Sequence, residues 1–157
     1  MPHPIPIEQG ELKRVEALLG GQKVIRHKLE TRQDAHEVIR HGLPARALLG
    51  LLAKLVVLRP ENVSLEKAIG MSLRTFQRKK AAPAKVLNRE QSGRTLKFAE
   101  VLAMAIEVFG SQQDAEEWLQ RPAMGLNNQR PIELLETPAG VELVEDFLTR
   151  LEYGVYT

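Results

Sequence analysis

Arg74, Gln77 and Arg78 stand at positions i, i+3 and i+4 of the stretch "SLRTFQRKK", which runs from Ser72 to Lys80. On a helix that spacing puts all three side chains on one face. Their types suit the reading of base edges. An arginine can make two hydrogen bonds to guanine O6 and N7, and a glutamine two to adenine N6 and N7. Lys79, Lys80 and Lys85 fall where phosphates would lie. Neutralising phosphates releases counterions, so binding of this kind weakens steeply with salt. Ser72, Arg74, Thr75, Gln77, Arg78, Lys79 and Lys80 are the expected DNA contacts. The bland alternative is a solvated basic helical corner with no ligand.

Other chemistry has little support. The four histidines are His3, His27, His36 and His41, and none belongs to a metal-binding pattern such as HExxH. No glycine-rich phosphate loop of either common type occurs. Ser64 and Ser72 suit helix caps better than nucleophiles. Glu116 and Glu117, like Glu145 and Asp146, are adjacent, so on a helix they diverge and do not converge on one substrate. The expectation is a protein without catalytic residues, metal or cofactor.

The elements that must position the basic face are a short helix, a tight corner and a second helix whose first turns enter the major groove. "SLEKAIGM" precedes the basic stretch. Ser64 is the expected cap of the first helix, with Leu65, Ala68 and Ile69 on its inner face. Gly70 suits a corner with positive φ, and Ser72 suits the cap of the recognition helix. Leu73 and Phe76 are expected to point inward. Glu66 stands where many such motifs carry a small residue, four before the corner glycine, which predicts a short or loosely packed first helix.

Almost every other segment also reads as helix. Leu12, Val15, Leu18 and Leu19 recur at helical spacing and Gly20-Gly21 closes that helix. Thr31 with Asp34 marks an N-terminus and Gly42 a stop. "LPARALLGLLAKLVVLRP" reads as one buried helix from Pro44 to just before Pro60, with Gly50 allowing a close helix contact. Asn88 and Gln91 have capping-box spacing ahead of a long helix with the stripe Phe98, Val101, Leu102, Ala105, Ile106 and Phe109. Ser111 and Thr137 cap two further helices, Pro131 begins a short one between them, and Gly154 ends the last, whose stripe is Val141, Val144, Leu148 and Leu151. No alternating strand pattern and no repeat is present, so the expected fold class is all-α.

Charge divides the chain. Its net of +2 conceals a stretch, 71–97, with eight Lys/Arg and one acid, and a stretch, 98–157, with three Lys/Arg and eleven acids. The first suits a polyanion and the second a basic or cation-lined partner. Absence of cysteine removes disulfide and thiolate chemistry and fits a reducing cytoplasm. The apolar run "ALLGLLAKLVVL" contains Lys54 and is shorter than the roughly 20 residues that span a bilayer. The start "MPHPIPIEQG" lacks the features of a signal peptide, and residues 1–7 read as a loose tail. The expected layout is 1–42 as tail and accessory helices, 43–95 as the DNA-binding region and 96–157 as a second helical domain.

Trp118, the single tryptophan, is either a core plug of that second domain or an interface anchor. It opens the run Ala115-x-x-Trp118-Leu119, followed by Pro122, Leu126, Pro131, Leu134, Leu135, Thr137 and Gly140. In order and spacing this run resembles the toxin-binding domain of the MbcA/ParS/Xre antitoxins. "FAEVLAMAIEVFG" and "RLEYGVY" fit the same family, as do "SLRTFQRK" and "LNREQSGR" of a Cro/Xre-like helix-turn-helix. The resemblance covers Leu43 to Thr157. It departs at Ser92-Gly93-Arg94, where the family often has Ser-Asp-Arg, and at Asn127-Asn128, where it often has glycine. Asparagine tolerates the left-handed conformation, so that turn can survive, and Gly93 suits a joint between domains.

The resemblance implies an antitoxin paired with a RES-domain toxin that consumes NAD. The C-terminal domain would bind that toxin and obstruct its active site, while the N-terminal domain would repress the operon as a homodimer on operator DNA. Trp118, Glu152, Tyr153, Gly154, Val155, Tyr156 and Thr157 are the expected toxin contacts, with the closing residues as a plug. The competing reading is a stand-alone transcription regulator whose acidic half dimerises or senses a ligand.

Overall fold

A computed structural model describes residues 7–59 and 63–154. Helices dominate: α1 (Ile7–Leu18), α2 (Gln22–Ile25), α3 (Arg32–His41), α4 (Ala45–Lys54), α5 (Val63–Ile69), α6 (Leu73–Ala81), α7 (Arg89–Phe109), α8 (Gln112–Leu119), α9 (Pro131–Leu134) and α10 (Pro138–Glu152). A 3-10 turn at Met124–Leu126 completes the set. Among the described residues extended pairing is limited to two isolated bridges, Pro44 with Val86 and Ala123 with Gln129. The fold is all-α.

The chain divides into two compact units. One holds the residues up to Lys54 together with Arg74–Glu100; the other holds Leu55–Leu73 together with the residues from Val101 onward. Helix α7 therefore begins in the first unit and ends in the second.

Local chemistry explains the helix ends. Thr31 and Asp34 form a full capping box: the Thr31 hydroxyl accepts from the Asp34 N–H at 3.0 Å, and the Asp34 carboxylate accepts from the Thr31 N–H at 3.1 Å. The same reciprocal pair forms at α7 with asparagine in place of serine or threonine, as Gln91 N–H donates to Asn88 Oδ1 and Asn88 N–H to Gln91 Oε1. Ser111 and Thr137 cap α8 and α10 through the N–H groups of Asp114 and Gly140. Each such cap contributes about 1 kcal/mol.

In the first unit α1 and α4 share a core built on Leu12, Val15, Leu19, Leu48 and Leu51. Lys54 lies at the end of α4 and its ammonium donates to the Ala17 carbonyl at 2.8 Å, where a cation meets the negative end of α1. Buried Ser92 accepts from the Leu43 N–H at 2.9 Å, tying α7 to the entry of α4. Gly50, expected to permit a close helix contact, instead faces open space: a methyl group there would meet nothing within 4 Å.

In the second unit α5 packs on α9, and α9 on α10. Gly140 is the tightest point. A Cβ there would lie 1.8 Å from the Leu134 carbonyl oxygen, so only glycine lets α10 start against α9. Asn127 and Asn128 both take the left-handed conformation, at φ 56° and 60°, as the tolerance of asparagine for that region predicts.

Three expected boundaries are corrected. The helix read as running from Pro44 to just before Pro60 ends at Lys54. The N–H groups of Val56, Val57 and Leu58 do not continue it; they donate to the Glu116 carboxylate at 2.9–3.1 Å. Ser64, expected just before α5 as its cap, lies within the helix, which spans Val63–Ile69. Of the tail read over residues 1–7, Ile7 instead opens α1; residues 1–6, Pro60 and the closing residues Val155, Tyr156 and Thr157 lie outside the described residues.

Candidate nucleic-acid and partner interfaces

The corner between α5 and α6 has the local geometry its sequence calls for. Gly70 has φ 77°, and the Glu66 carbonyl accepts from both Gly70 N–H and Met71 N–H, closing the end of α5 with a left-handed glycine. Leu65, Ala68 and Ile69 are buried, as expected of the inner face. Ser72 directly precedes α6 and is exposed.

On α6, Arg74, Gln77, Arg78 and Lys80 are exposed, and Thr75 and Lys79 are half-buried. Arg78 Nη2 lies 3.4 Å from the Thr75 hydroxyl, a weak tether within the helix. Lys80 holds its ammonium 5.9 Å from the centre of the half-buried Phe76 ring. The helix thus shows one face of three polar heads at base-reading spacing, with a basic last turn. It can bridge to base edges and phosphates without first breaking a buried ion pair.

Around Trp118 the second unit assembles an aromatic stack. Its ring lies 5.2 Å from that of Phe109 and 6.0 Å from that of Phe147, nearly parallel to the latter at 7°. Such pairs add about 0.5–1.5 kcal/mol beyond area burial. Trp118 is half-buried, so its ring both fills the stack and reaches the surface. Gly125 supports the stack from below, since a Cβ there would approach Phe147 to 2.1 Å. Neither Phe147 nor Gly125 was singled out by sequence; only packing brings them to Trp118. Met124 beside it is 89% exposed.

The last helix ends as expected. Glu152, Tyr153 and Gly154 are exposed, and Gly154 has φ 69° with its N–H on the Leu151 carbonyl. Tyr153 is six residues beyond Phe147, about 9 Å along the helix axis. The expected contacts Val155, Tyr156 and Thr157 lie outside the described residues.

Glu116 has the role that sequence reading missed. It is fully buried, accepts from three successive backbone N–H groups, and takes a fourth bond from Gln112 Nε2 at 2.8 Å. Glu117 diverges to the surface and pairs with Arg121 at 3.0 Å. The adjacent acids do separate, and the buried one holds the 56–58 segment rather than a substrate. Among the described residues no group of three or more acids or histidines could hold a metal, and no helix is long and apolar enough to cross a membrane.

Comparison with known proteins adds an independent line. Residues 34–100 match the antitoxin Xre-like helix-turn-helix domain, and residues 104–154 match the antitoxin Xre/MbcA/ParS C-terminal toxin-binding domain. An antitoxin Xre of Yersinia enterocolitica is 33% identical over 92 residues, covering 58% of this chain and 62% of that protein. An antitoxin Xre of Photorhabdus laumondii is 29% identical over 87 residues, covering 55% and 58%. A third, from Pseudomonas putida, is 32% identical over 68 residues, covering 43% of each chain. The matches thus span less than two thirds of these relatives' own lengths. The basic helix α6 lies within the helix-turn-helix match and the Trp118 stack within the toxin-binding match, and with both domains present in order the chain belongs to the Xre-type antitoxin family.

Proposed function

We propose that this antitoxin blocks a RES-domain, NAD-consuming toxin with its C-terminal half and represses its own operon by binding promoter DNA through α6. Opposed charge along the chain carries the reading: residues 71–97 hold eight Lys/Arg against one acid, and residues 98–157 hold eleven acids against three Lys/Arg. A pocket that binds the phosphates of NAD is cationic, so an acidic domain complements it.

In this reading Ser72, Arg74, Thr75, Gln77, Arg78, Lys79 and Lys80 contact operator DNA. A homodimer is the binding unit, because two copies double the contact at half-sites about 34–36 Å apart. The work is cytoplasmic, where the operator is. Trp118, Glu152, Tyr153 and Gly154, continuing to Val155, Tyr156 and Thr157, face the toxin. Tyr153 is 60% exposed at the end of α10, which supports its availability to a partner.

The test is an NAD-hydrolysis assay on a RES-domain toxin co-expressed with this protein. Full-length antitoxin is expected to inhibit it. Antitoxin lacking Gly154–Thr157 is expected to lose that inhibition while keeping operator binding. Equal inhibition by both would remove the plug, and no inhibition by either would remove the RES pairing.

A further inference from the structure

The first unit carries a cleft of about 250 Å3 that neither domain's role uses. Its floor is apolar, formed in part by buried Ile25 and Val38, and its polar lining is Arg26, His27, His41 and Arg46. No carboxylate lines it. Glu37, outside the lining, holds its carboxylate 3.8 Å from Arg40 and 3.6 Å from His41 Nδ1. Half of the polar lining, Arg26 and His27, precedes residue 34, where the helix-turn-helix match begins.

The walls are fixed by backbone hydrogen bonds. Ala45 N–H donates to the Lys85 carbonyl at 2.7 Å, Arg46 N–H to that of Pro83 at 3.0 Å, and Leu87 N–H to that of Leu43 at 2.7 Å. These bonds hold the loop after α6 against the start of α4. Arg26 is held too. It ends α2 in the left-handed conformation at φ 62°, with its N–H on the Gln22 carbonyl at 2.7 Å. That conformation disfavours a residue with a Cβ, so the α2 cap holds its backbone in place.

The heads are available to a ligand. His27 Nδ1 is engaged with the Lys28 carbonyl at 2.8 Å and His41 Nδ1 with that of Glu37 at 2.9 Å. A nitrogen facing a carbonyl carries the proton, which leaves each Nε2 for another partner. The rings lie 6.4 Å apart, and the two guanidinium groups beside them disfavour a metal cation. Among the described residues neither Arg26 nor Arg46 is paired to a carboxylate. Guanidinium groups match phosphate geometry with two bonds each.

We propose that this cleft is a phosphate-binding site, in which Arg26 and Arg46 grip the anion with His27 and His41 beside it. The phosphate has two possible sources: a free phosphorylated small molecule, or the backbone of DNA engaged by α6, since the loop that forms one wall follows α6 directly. The site stands independently of the toxin pairing.

Two titrations decide it, using full-length wild type and the Arg26→Ala/Arg46→Ala double variant, both checked for unchanged thermal unfolding. In the first, amide chemical shifts of Gly42 and Val86 are followed against inorganic phosphate, with chloride at matched ionic strength as control. Saturable shifts in wild type, weakened tenfold or more in the variant, establish a free-phosphate site. In the second, binding to duplex DNA from upstream of the gene is measured against salt. Weaker binding by the variant, with a salt slope smaller by about 2 as for two lost phosphate contacts, establishes the DNA backbone as the source. Phosphate shifts equal to those in chloride, together with unchanged duplex binding, overturn the proposal, as do equal responses of wild type and variant.

Discussion

Charge is used in opposite ways at α6 and at Glu116. On α6 the heads of Arg74, Gln77 and Arg78 are exposed, and Arg78 lies 3.4 Å from the Thr75 hydroxyl. At Glu116 the carboxylate has no exposed surface and receives the N–H groups of Val56, Val57 and Leu58 and the Gln112 amide. One charge is left to solvent and is available to a partner. The other is consumed in building the fold. The acidic excess of the second half is therefore not all interaction surface, because Glu116, and Glu100 buried against Arg32 and Lys97, are architecture.

The largest expected effect is at Glu116. Replacing it with alanine strands three backbone N–H groups, each costing about 1–3 kcal/mol when buried without a partner. Urea unfolding of Glu116→Ala is expected to lose about 3 kcal/mol or more, with Glu116→Gln losing less because the amide oxygen still accepts. A loss below about 1 kcal/mol would break the contrast with α6.

Next comes α6 itself. Arg74→Ala and Arg78→Ala are each expected to weaken specific operator binding by about 1–3 kcal/mol, with stability changed by no more than about 0.5 kcal/mol, as for exposed sites. Gel-shift titration and unfolding on the same samples separate the two effects. Unchanged operator affinity in the double variant would mean that this face reads nothing.

Asp34 sharpens the comparison as an intermediate case with the smallest effect. Its carboxyl is held below the ordinary range, first by the Glu30 N–H at 3.0 Å and then by the Thr31 N–H and hydroxyl, against a desolvation that opposes them. A folded-state value below the unfolded one means a contribution fully present above the ordinary aspartate value, near 4, and lost as pH falls through the lower folded value. An acid titration followed by circular dichroism should show Asp34→Asn losing stability at neutral pH while matching wild type at the acid end. Parallel profiles across the whole range would contradict this.

Features that depend on residues three or four apart were legible in the sequence. The caps at Thr31, Asn88, Ser111 and Thr137, the left-handed Gly70 and Asn127, and the buried stripe of α10 all follow from local hydrogen bonding and helical periodicity. So did the exposed basic face of α6, because a polar face needs no partner within the chain. The domain order was legible as a resemblance, through prolines, glycines and a tryptophan at set intervals.

Tertiary structure decided what residues far apart in sequence do to one another. Glu116 reaches back 58 to 60 residues to the amides of Val56, Val57 and Leu58, so an apolar run that suits a helix stops being one at Lys54. Gly125 and Gly140 are required by what lies against them, Phe147 and the Leu134 carbonyl. Arg26, His27, His41 and Arg46 share a cleft because a loop more than thirty residues downstream of them all is bonded to the start of α4. Local sequence settles whether a backbone group is satisfied by its near neighbours; where the partner is distant, only the packed chain supplies it.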